Sequence, residues 1–312
     1  MKKPSECSGV LVLNKEAGMT SHDAVNRIRR LFDTKQVGHT GTLDPMATGV
    51  LPILVGRAVK ASEYLTSDQK EYIADLKLGL TTDTEDITGK ILTSTSMLPS
   101  KEEVIRVCAS FLGAGEQIPP MYSALKINGK KLVDLARQNI EVERPPRPIH
   151  IYSLDILEAG EEDGLYKLKV VCSKGTYIRT LCADIGKKLG CGGVMASLKR
   201  TVSGAFSLND AYTLAQLEAL SMEERLSLLH PVESLFESLP ALSLSAFYQK
   251  LCSSGCPIYL KKLNADLPLG EKVRLYFEDR FFALGEVGMY EEGVAVKAIK
   301  QFVLFGKEGS PC

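Results

Sequence analysis

The sequence lacks the features that mark a membrane or secreted protein. No uninterrupted apolar run approaches the roughly 18 residues that a membrane-spanning helix requires. The N-terminal segment MKKPSECSGV carries positive charge without an apolar segment behind it. With 45% hydrophobic and 24% charged residues, the composition is typical of a globular protein. These absences predict a cytoplasmic protein without a signal peptide.

Paired cysteine motifs are also missing. The eight cysteines form no CxxC pair and no regular spacing, so we expect reduced thiols rather than a disulfide framework. Cys252 and Cys256, in CSSGC, come closest to a ligand pair, and His230 is the only histidine near them. A zinc site needs two more ligands at matching spacing. The sequence therefore predicts no metal site and favours buried thiols.

The signatures of the commonest enzyme chemistries are absent as well. The chain contains no GxxxxGK[ST], no GxGxxG after a strand, no HExxH and no GxSxG. It also has no internal repeat of fixed period and no low-complexity tract. Nucleotide hydrolysis, hydride transfer and the usual hydrolase mechanisms thus lack their sequence motifs here.

Length and pattern predict an α+β protein of two domains. At 312 residues the chain exceeds the size at which a single core stops growing, roughly 250 to 300 residues. We expect strands at 9–15, 50–55, 71–80, 90–96 and 165–172, and helices at 21–33, 101–111, 178–189 and within 208–235. Three short strands are expected at 271–277, 280–287 and 294–305. The predicted division is a domain of residues 1–238 with a central mixed sheet flanked by helices, and a small β-rich domain of residues 239–312.

Charge is balanced overall but unevenly distributed. Residues 122–147 carry six Lys or Arg against three acidic residues, and residues 172–200 carry six against one. Residues 209–237 are acidic instead. A neutral total can therefore conceal a basic face for a nucleic acid, although solvated helix surfaces would give the same pattern.

Asp44 and Arg179 are the strongest candidates for chemistry. Asp44 lies in GHTGTLDPMATGVL, where glycines and Pro45 predict a loop that approaches a ligand closely. Arg179 falls in the first turn of a predicted helix, where a cation opposes the helix dipole. We expect a carboxylate to compensate it, although the sequence does not identify which one. A pair with Asp184 and a side chain that extends to solvent remain alternatives.

Four blocks of this chain resemble the bacterial tRNA pseudouridine synthase B family. They are GHTGTLDPMATGVLPILVG, KEYIADLKLGLTTDTEDITG, QIPPMYSALKINGKKLVDLAR and SKGTYIRTLCADIGKKLG, and they occur in the family's order. The resemblance implies a pseudouridine synthase fold, and residues 239–312 are weakly similar to the family's small RNA-binding domain, called PUA. It also implies conversion of uridine 55 in the T-arm of tRNA to pseudouridine, without a cofactor or metal.

The resemblance also implies roles for individual residues. Asp44 matches the catalytic aspartate, Arg179 its arginine partner, and Tyr72 the aromatic residue that stacks on the target base. The implied substrate-binding residues are His39, Tyr177, Leu198, Lys15, Lys126, Lys130 and Lys131. The lysines at 126, 130 and 131 belong to an insertion, about residues 120–150, that closes over the RNA arm and would contact phosphates.

Taken singly, these residues also fit structural roles. His39 could be a hydrogen-bonded loop histidine, Tyr72 a packing residue and Asp44 an ordinary turn aspartate. Two other functions also stay open: a non-catalytic tRNA-binding or folding factor, and a synthase of this fold that acts on another RNA, such as a guide-dependent relative. We expect a monomer that binds the T-arm stem-loop and needs no protein partner.

Overall fold

The computed structural model describes residues 8–64, 69–138 and 140–303. The strands, in chain order, are β1 Gly9–Lys15, β2 Val37–His39, β3 Thr48–Val55, β4 Lys70–Leu78, β5 Leu80–Thr82, β6 Ile91–Ser94, β7 Gly113–Gln117, β8 Lys126–Ile127, β9 Lys130–Lys131, β10 Arg147–Gly160, β11 Leu165–Cys172, β12 Gly193–Ser203, β13 Phe206–Ser207, β14 Ala241–Ser243, β15 Ile258–Tyr259, β16 Lys272–Phe277, β17 Arg280–Tyr290 and β18 Gly293–Gln301. The α-helices are α1 Ser21–Leu31, α2 Lys101–Ala109, α3 Leu132–Ala136, α4 Ile178–Leu189, α5 Leu214–Ala219, α6 Met222–Ser227 and α7 Ala246–Ser253. The 3₁₀ helices within the described ranges span Gly56–Tyr64, Leu208–Asp210, Val232–Leu235 and Leu260–Leu263.

A mixed sheet forms the centre of the larger domain. Its strands follow the order β1-β3-β12-β4-β11-β10-β7, with β2 paired to β3 and β13 to β12. The pairing of β3 with β12 is parallel, and the neighbouring pairs are antiparallel. Gly49 makes the parallel pairing possible, because a Cβ at this position would lie 2.1 Å from the Arg200 carbonyl oxygen. This contact brings the Asp44 loop, which leads into β3, beside the central strands β4 and β12.

The sequence pattern explains most of these elements. In β4, KEYIADLKL, buried residues alternate with partly exposed ones, as expected for a strand with one face on a core. Helix α1 begins at Ser21, because Thr20 caps it and forms a capping box with Asp23. Helix α4 spans the predicted residues 178–189 and is ended by Gly190 in the left-handed conformation.

Two segments differ from the predicted elements. The strand predicted at 71–80 ends earlier, because β4 stops at Leu78 and stays in the central sheet. Leu80–Thr82 form the separate strand β5, which pairs with β6 in a small hairpin. Residues 208–235 form four short helices instead of one or two longer ones. Each of the two α-helices here has its own capping box, so Ser221 starts a new helix two residues after the preceding one ends.

The C-terminal part is a β-rich unit packed on the larger domain. Its five strands follow the order β14-β16-β17-β18-β15. The strand predicted to reach residue 305 ends at Gln301, and residues 304 and 305 lie outside the described residues. Phe281 and Phe302 pack in one apolar cluster with Val10 and Phe236 of the preceding segments. The division at residues 238 and 239 stays a prediction, and the two parts share part of their core.

The observed architecture confirms the predicted α+β class, with a central mixed sheet followed by a smaller β domain. The six cysteines in the described ranges are unpaired. Across the same ranges, no helix is both long and apolar enough to cross a membrane, and no three His, Cys, Asp or Glu side chains gather as they would around a metal ion.

Candidate active site

A cleft of about 1030 Å³ opens over the central sheet. Its walls are the Asp44 loop, the start of β4, the loop at 84–88, the beginning of the segment between β7 and β10, and the turn before α4. Asp44, Tyr72, Lys131, Tyr177, Arg179 and Leu198 all line it. The topology thus brings together six of the predicted site residues from five separate stretches of sequence.

The loop that carries Asp44 is held from below by buried polar groups. The Ser21 hydroxyl donates to the Leu43 carbonyl and accepts from the Leu43 N–H, at 3.0 and 2.9 Å. The Lys15 ammonium, fully buried, donates to the carbonyl oxygens of Glu16, Met19 and Pro45. Burial lowers the pKa of Lys15 to about 8, in opposition to the nearby charge of Asp44. Both backbone neighbours of Asp44 are therefore fixed.

Asp44 and Arg179 form a two-point ion pair. Arg179 Nε lies 2.8 Å from Asp44 Oδ2, and Arg179 Nη2 donates to Oδ1 at 3.3 Å. The arginine side chain is 5% exposed, whereas that of Asp44 is 32% exposed and faces the cleft. A paired guanidinium fixes the plane of a carboxylate as well as its position. The carboxylate that compensates Arg179 is thus Asp44 and not Asp184.

Three further contacts hold the Arg179 guanidinium in place. Its Nη1 donates to the Thr84 carbonyl at 3.1 Å and lies 3.8 Å from Asp86 Oδ2, and its Nη2 also donates to the Tyr122 carbonyl at 2.8 Å. Asp86 is itself fixed by Thr84 and Thr88, whose hydroxyls donate to Oδ1 at 2.9 and 2.6 Å. Four backbone or carboxylate partners therefore surround one buried guanidinium.

Burial raises the pKa of Asp44 above its usual value, and the charge of Arg179 opposes this shift. Asp86 raises the pKa of Asp44 further, because a second carboxylate disfavours ionisation of the first. An Asp held near a cation in a poorly solvated cleft suits either nucleophilic attack or proton abstraction. The same environment would be unfavourable for a carboxylate whose only task was to meet RNA phosphates.

Tyr72 and Leu198 form the floor of the cleft. They lie on the neighbouring strands β4 and β12, and they are 6% and 7% exposed. Burial raises the pKa of Tyr72, and the charge of Arg200, its register partner on β12, opposes the shift. Arg200 is fully buried and donates to the carbonyl oxygens of Val50 and Gly41. Tyr72 therefore presents a neutral phenol beside an apolar side chain.

The other predicted binding residues occupy different positions. Tyr177 lines the cleft, and its peptide precedes α4 directly. His39 ends β2, two residues before the lining residue Gly41, and burial lowers its pKa. Lys15 lies beneath the Asp44 loop, away from the cleft surface. Lys126 and Lys130 are exposed on the β8–β9 hairpin, and Lys131, also exposed on this hairpin, lines the cleft.

Sequence reasoning missed three buried polar residues of the site: Asp86, Gln117 and Arg200. Asp86 lies in the segment TTDTEDITG. The position of Arg179 in the first turn of α4 predicted a nearby carboxylate, and Asp86 is one that the sequence could have offered. Gln117 and Arg200 carry no local signal, because their partners lie 60 and 150 residues away along the chain.

Comparisons with known proteins identify the family of this chain. A family model described as TruB family pseudouridylate synthase, N-terminal domain, matches residues 29–178, and one described as tRNA pseudouridylate synthase B, C-terminal domain, matches residues 179–237. The chain is 46% identical over 282 residues to tRNA pseudouridine synthase B of Alkaliphilus oremlandii, covering 90% of this chain and 93% of that protein.

The corresponding protein of Dechloromonas aromatica is 47% identical over 284 residues, covering 91% of this chain and 92% of the relative. A solved Cbf5-Nop10-Gar1 complex contains a chain that superposes with a TM-score of 0.75 at 26% identity, covering 99% of this chain and 88% of that one. The chain therefore belongs to the TruB family of tRNA pseudouridine synthases, which are isomerases.

Proposed function

We propose that Asp44 is the catalytic carboxylate with which this protein, a tRNA pseudouridine synthase, isomerises uridine 55 in the T-arm of tRNA. The observation that supports the proposal most strongly is the two-point contact of Asp44 with the buried Arg179, at 2.8 and 3.3 Å. An arrangement this specific holds one carboxylate in a fixed orientation at the wall of a cleft.

The reaction needs one such group. The N1–C1′ bond of uridine breaks, the uracil turns, a C5–C1′ bond forms, and the proton at C5 is lost while N1 ends protonated. No electrons are exchanged with another molecule. Asp44 acts either as a nucleophile or as a base at the sugar, and both roles require its ionised form. Arg179 supports ionisation by its charge and leaves the cleft-facing side of the carboxylate free to react.

Tyr72 and Leu198 are proposed to receive the uracil after it leaves the RNA stack. Stacking on an aromatic ring contributes about 1–3 kcal/mol per base, which offsets part of the few kcal/mol that base flipping costs. Because burial raises the pKa of Tyr72, the phenol stays neutral at physiological pH. That favours stacking, with proton transfer at C5 as a further role for the hydroxyl.

The insertion and the cleft rim are proposed to hold the RNA. Lys126, Lys130 and Lys131 are exposed, and none of them makes an ion pair with the described part of the chain. Such lysines suit phosphate contacts, which weaken as salt rises. His39 is proposed to help take the base out of the T-loop, and Tyr177 to contact it. Lys15 supports binding indirectly, by holding the Asp44 loop.

Two alternative functions receive less support. A non-catalytic tRNA-binding factor has no need of a carboxylate that faces an RNA across a poorly solvated cleft. A synthase for another RNA is less favoured, since the relatives at 46% and 47% identity are named for tRNA. We further propose that the protein is a cytoplasmic monomer and that the C-terminal β unit is a PUA-like RNA-binding domain.

The experiment is tritium release from tRNA labelled with [5-³H]uridine, for the wild type and for Asp44→Asn, with RNA affinity measured in parallel. We expect release by the wild type and a fall of at least about 10³-fold in the variant, with affinity within about twofold. A control T-arm with uridine 55 replaced by cytidine should release no tritium from that position. Persistent release by Asp44→Asn would refute the proposed role, and tight binding without release by the wild type would refute the synthase activity.

A further inference from the structure

Helix α4, which carries Arg179, lacks the side-chain cap that helices α1 and α2 have. Helices α1 and α2 each begin with a capping box inside their own sequence, Thr20 with Asp23 and Ser100 with Glu103. The N-cap residue of α4 is Tyr177, whose side chain makes no capping hydrogen bond. Unsatisfied N–H groups at a helix start are costly when buried. The first turn of α4 must therefore be held by something else.

Gln117 supplies that support from 60 residues away. Its Oε1 accepts a hydrogen bond from the Tyr177 N–H at 2.8 Å, and its Nε2 donates to the Tyr177 carbonyl at 3.0 Å. The orientation of the amide is fixed by chemistry, because a backbone N–H only donates and a carbonyl only accepts. The Tyr177 carbonyl also accepts the α-helical bond from Leu181. Gln117 thus bonds both polar groups of the cap residue, as a neighbouring strand would.

The position of Gln117 gives this contact a consequence for the active site. Gln117 is 4% exposed and is the last residue of β7, from which the insertion departs. Arg179, which contacts Asp44, lies two residues after Tyr177, the residue whose backbone Gln117 binds. The insertion meets the same guanidinium again through the Tyr122 carbonyl. The start of the insertion and the start of α4 are therefore joined by the buried side chain of Gln117.

We propose that Gln117 is a positioning residue for Arg179: its amide holds the Tyr177 peptide, fixes the first turn of α4 and thereby the alignment of Asp44. This inference rests on the proposed function, because its main measurement is the rate of pseudouridine formation. Gln117 is proposed to contact neither the substrate nor the reacting atoms. It acts through the backbone of α4, which carries Arg179.

Two substitutions remove different parts of the contact. Gln117→Met keeps the length of the side chain and loses both hydrogen bonds. Gln117→Glu keeps the acceptor for the Tyr177 N–H but sets a carboxylate oxygen against the Tyr177 carbonyl. When the carboxyl is protonated it regains a donor and reproduces the amide. The charged or titratable groups around this turn are Arg147, in register with Gln117 on β10, the Tyr177 phenol, and Arg179 with its partners Asp44 and Asp86. Glu85 also faces the turn, because its carboxylate accepts from the Thr180 hydroxyl at 2.6 Å.

The test compares single-turnover rates, RNA affinity and melting temperature. For both variants at neutral pH we expect a rate at least about tenfold below wild type, with RNA affinity within about twofold. The rate of Gln117→Glu relative to wild type should recover as the pH falls from about 8 to about 5.5, whereas that of Gln117→Met should not. Gln249, also 4% exposed, bonds Ser253 within the C-terminal β unit, so Gln249→Met is the matched control and should leave the rate unchanged.

The outcomes separate this inference from the proposed function. Rates within about twofold of wild type, or losses matched by Gln249→Met, would overturn the role of Gln117 while the synthase activity stands. An inactive wild type would overturn the function instead, and crystal structures of both Gln117 variants would then decide the positioning role. Lengthening of the 2.8 Å Arg179–Asp44 contact would support it, and an unchanged contact would refute it. If Gln117→Met fails to fold, Gln117→Glu carries the test.

Discussion

The cleft and the insertion hold charged side chains in opposite ways. At the cleft, Arg179 in its wall and Lys15 and Arg200 behind it are 0 to 4% exposed and are bound by backbone carbonyls or carboxylates. In the insertion, Lys126 and Lys130 stand on a two-stranded hairpin with their side chains in solvent. Buried, bonded charges fix a geometry, whereas exposed charges attract a polyanion without fixing one. From this comparison we expect chemistry and RNA affinity to reside in separable groups.

Among the residues that support Asp44, the largest effect is expected from Arg179→Met. Breaking a buried ion pair by removing one partner costs about 3–5 kcal/mol, and here that loss leaves Asp44 without its orienting cation. We expect a single-turnover rate at least about 10²-fold lower with RNA affinity nearly unchanged. Arg179→Lys, which keeps the charge but not the two-point geometry, should recover only part of the rate. Full recovery by lysine would mean that charge alone is sufficient.

Asp86→Asn should have the next largest effect on rate. Asp86 lies 3.8 Å from the Arg179 guanidinium and is held by two threonine hydroxyls. Loss of a contact to a charged group costs about 1.5–3 kcal/mol, so we expect a fall of about 10- to 100-fold. The matched control is Asp83→Asn, on the same loop, whose carboxylate accepts from the Lys90 N–H. An equal fall in the control would assign the effect to the loop and not to Arg179.

Substitution of the insertion lysines should lower the affinity for RNA and leave the single-turnover rate nearly unchanged. For the triple variant Lys126→Ala, Lys130→Ala and Lys131→Ala, we expect RNA affinity to fall about tenfold at physiological salt. The slope of log affinity against log salt should decrease by about two to three, as expected when that many phosphate contacts are lost. At saturating protein the single-turnover rate should stay within about twofold. An unchanged salt slope would remove these lysines from the RNA contact surface.

A smaller effect is expected in the pH dependence. Because burial raises the pKa of Asp44, the carboxylate takes up a proton at a higher pH than an exposed aspartate does. Catalysis needs the ionised form, so the rate should fall on acidification through that raised pKa. Asp86 contributes to the rise, and Asp86→Asn should therefore move the acid limb to lower pH. A limb that does not move would show that another group controls it.

The sequence predicted the centre of the site better than its surroundings. The position of Arg179 in a first helical turn, together with the four resembling blocks, led to Asp44, Arg179 and Tyr72, which the fold brings together. The supports of these residues were not predictable. Asp86 and Gln117 act on Arg179 and Tyr177 across long sequence separations, and a buried polar residue without local periodicity gives no signal of its partner. The prediction of one or two acidic helices within residues 208–235 was wrong for a different reason, since the caps that divide this segment are local in the sequence and were not used.

The most direct test of the separation is a double-mutant cycle between Arg179→Lys and the triple lysine variant, using kcat/KM for pseudouridine formation in tRNA. If the cleft governs the chemical step and the insertion governs RNA affinity, the two losses add in free energy to within about 0.5 kcal/mol. A coupling energy above about 1 kcal/mol would contradict the account. It would show that the lysines act on the alignment of Asp44 as well as on the RNA.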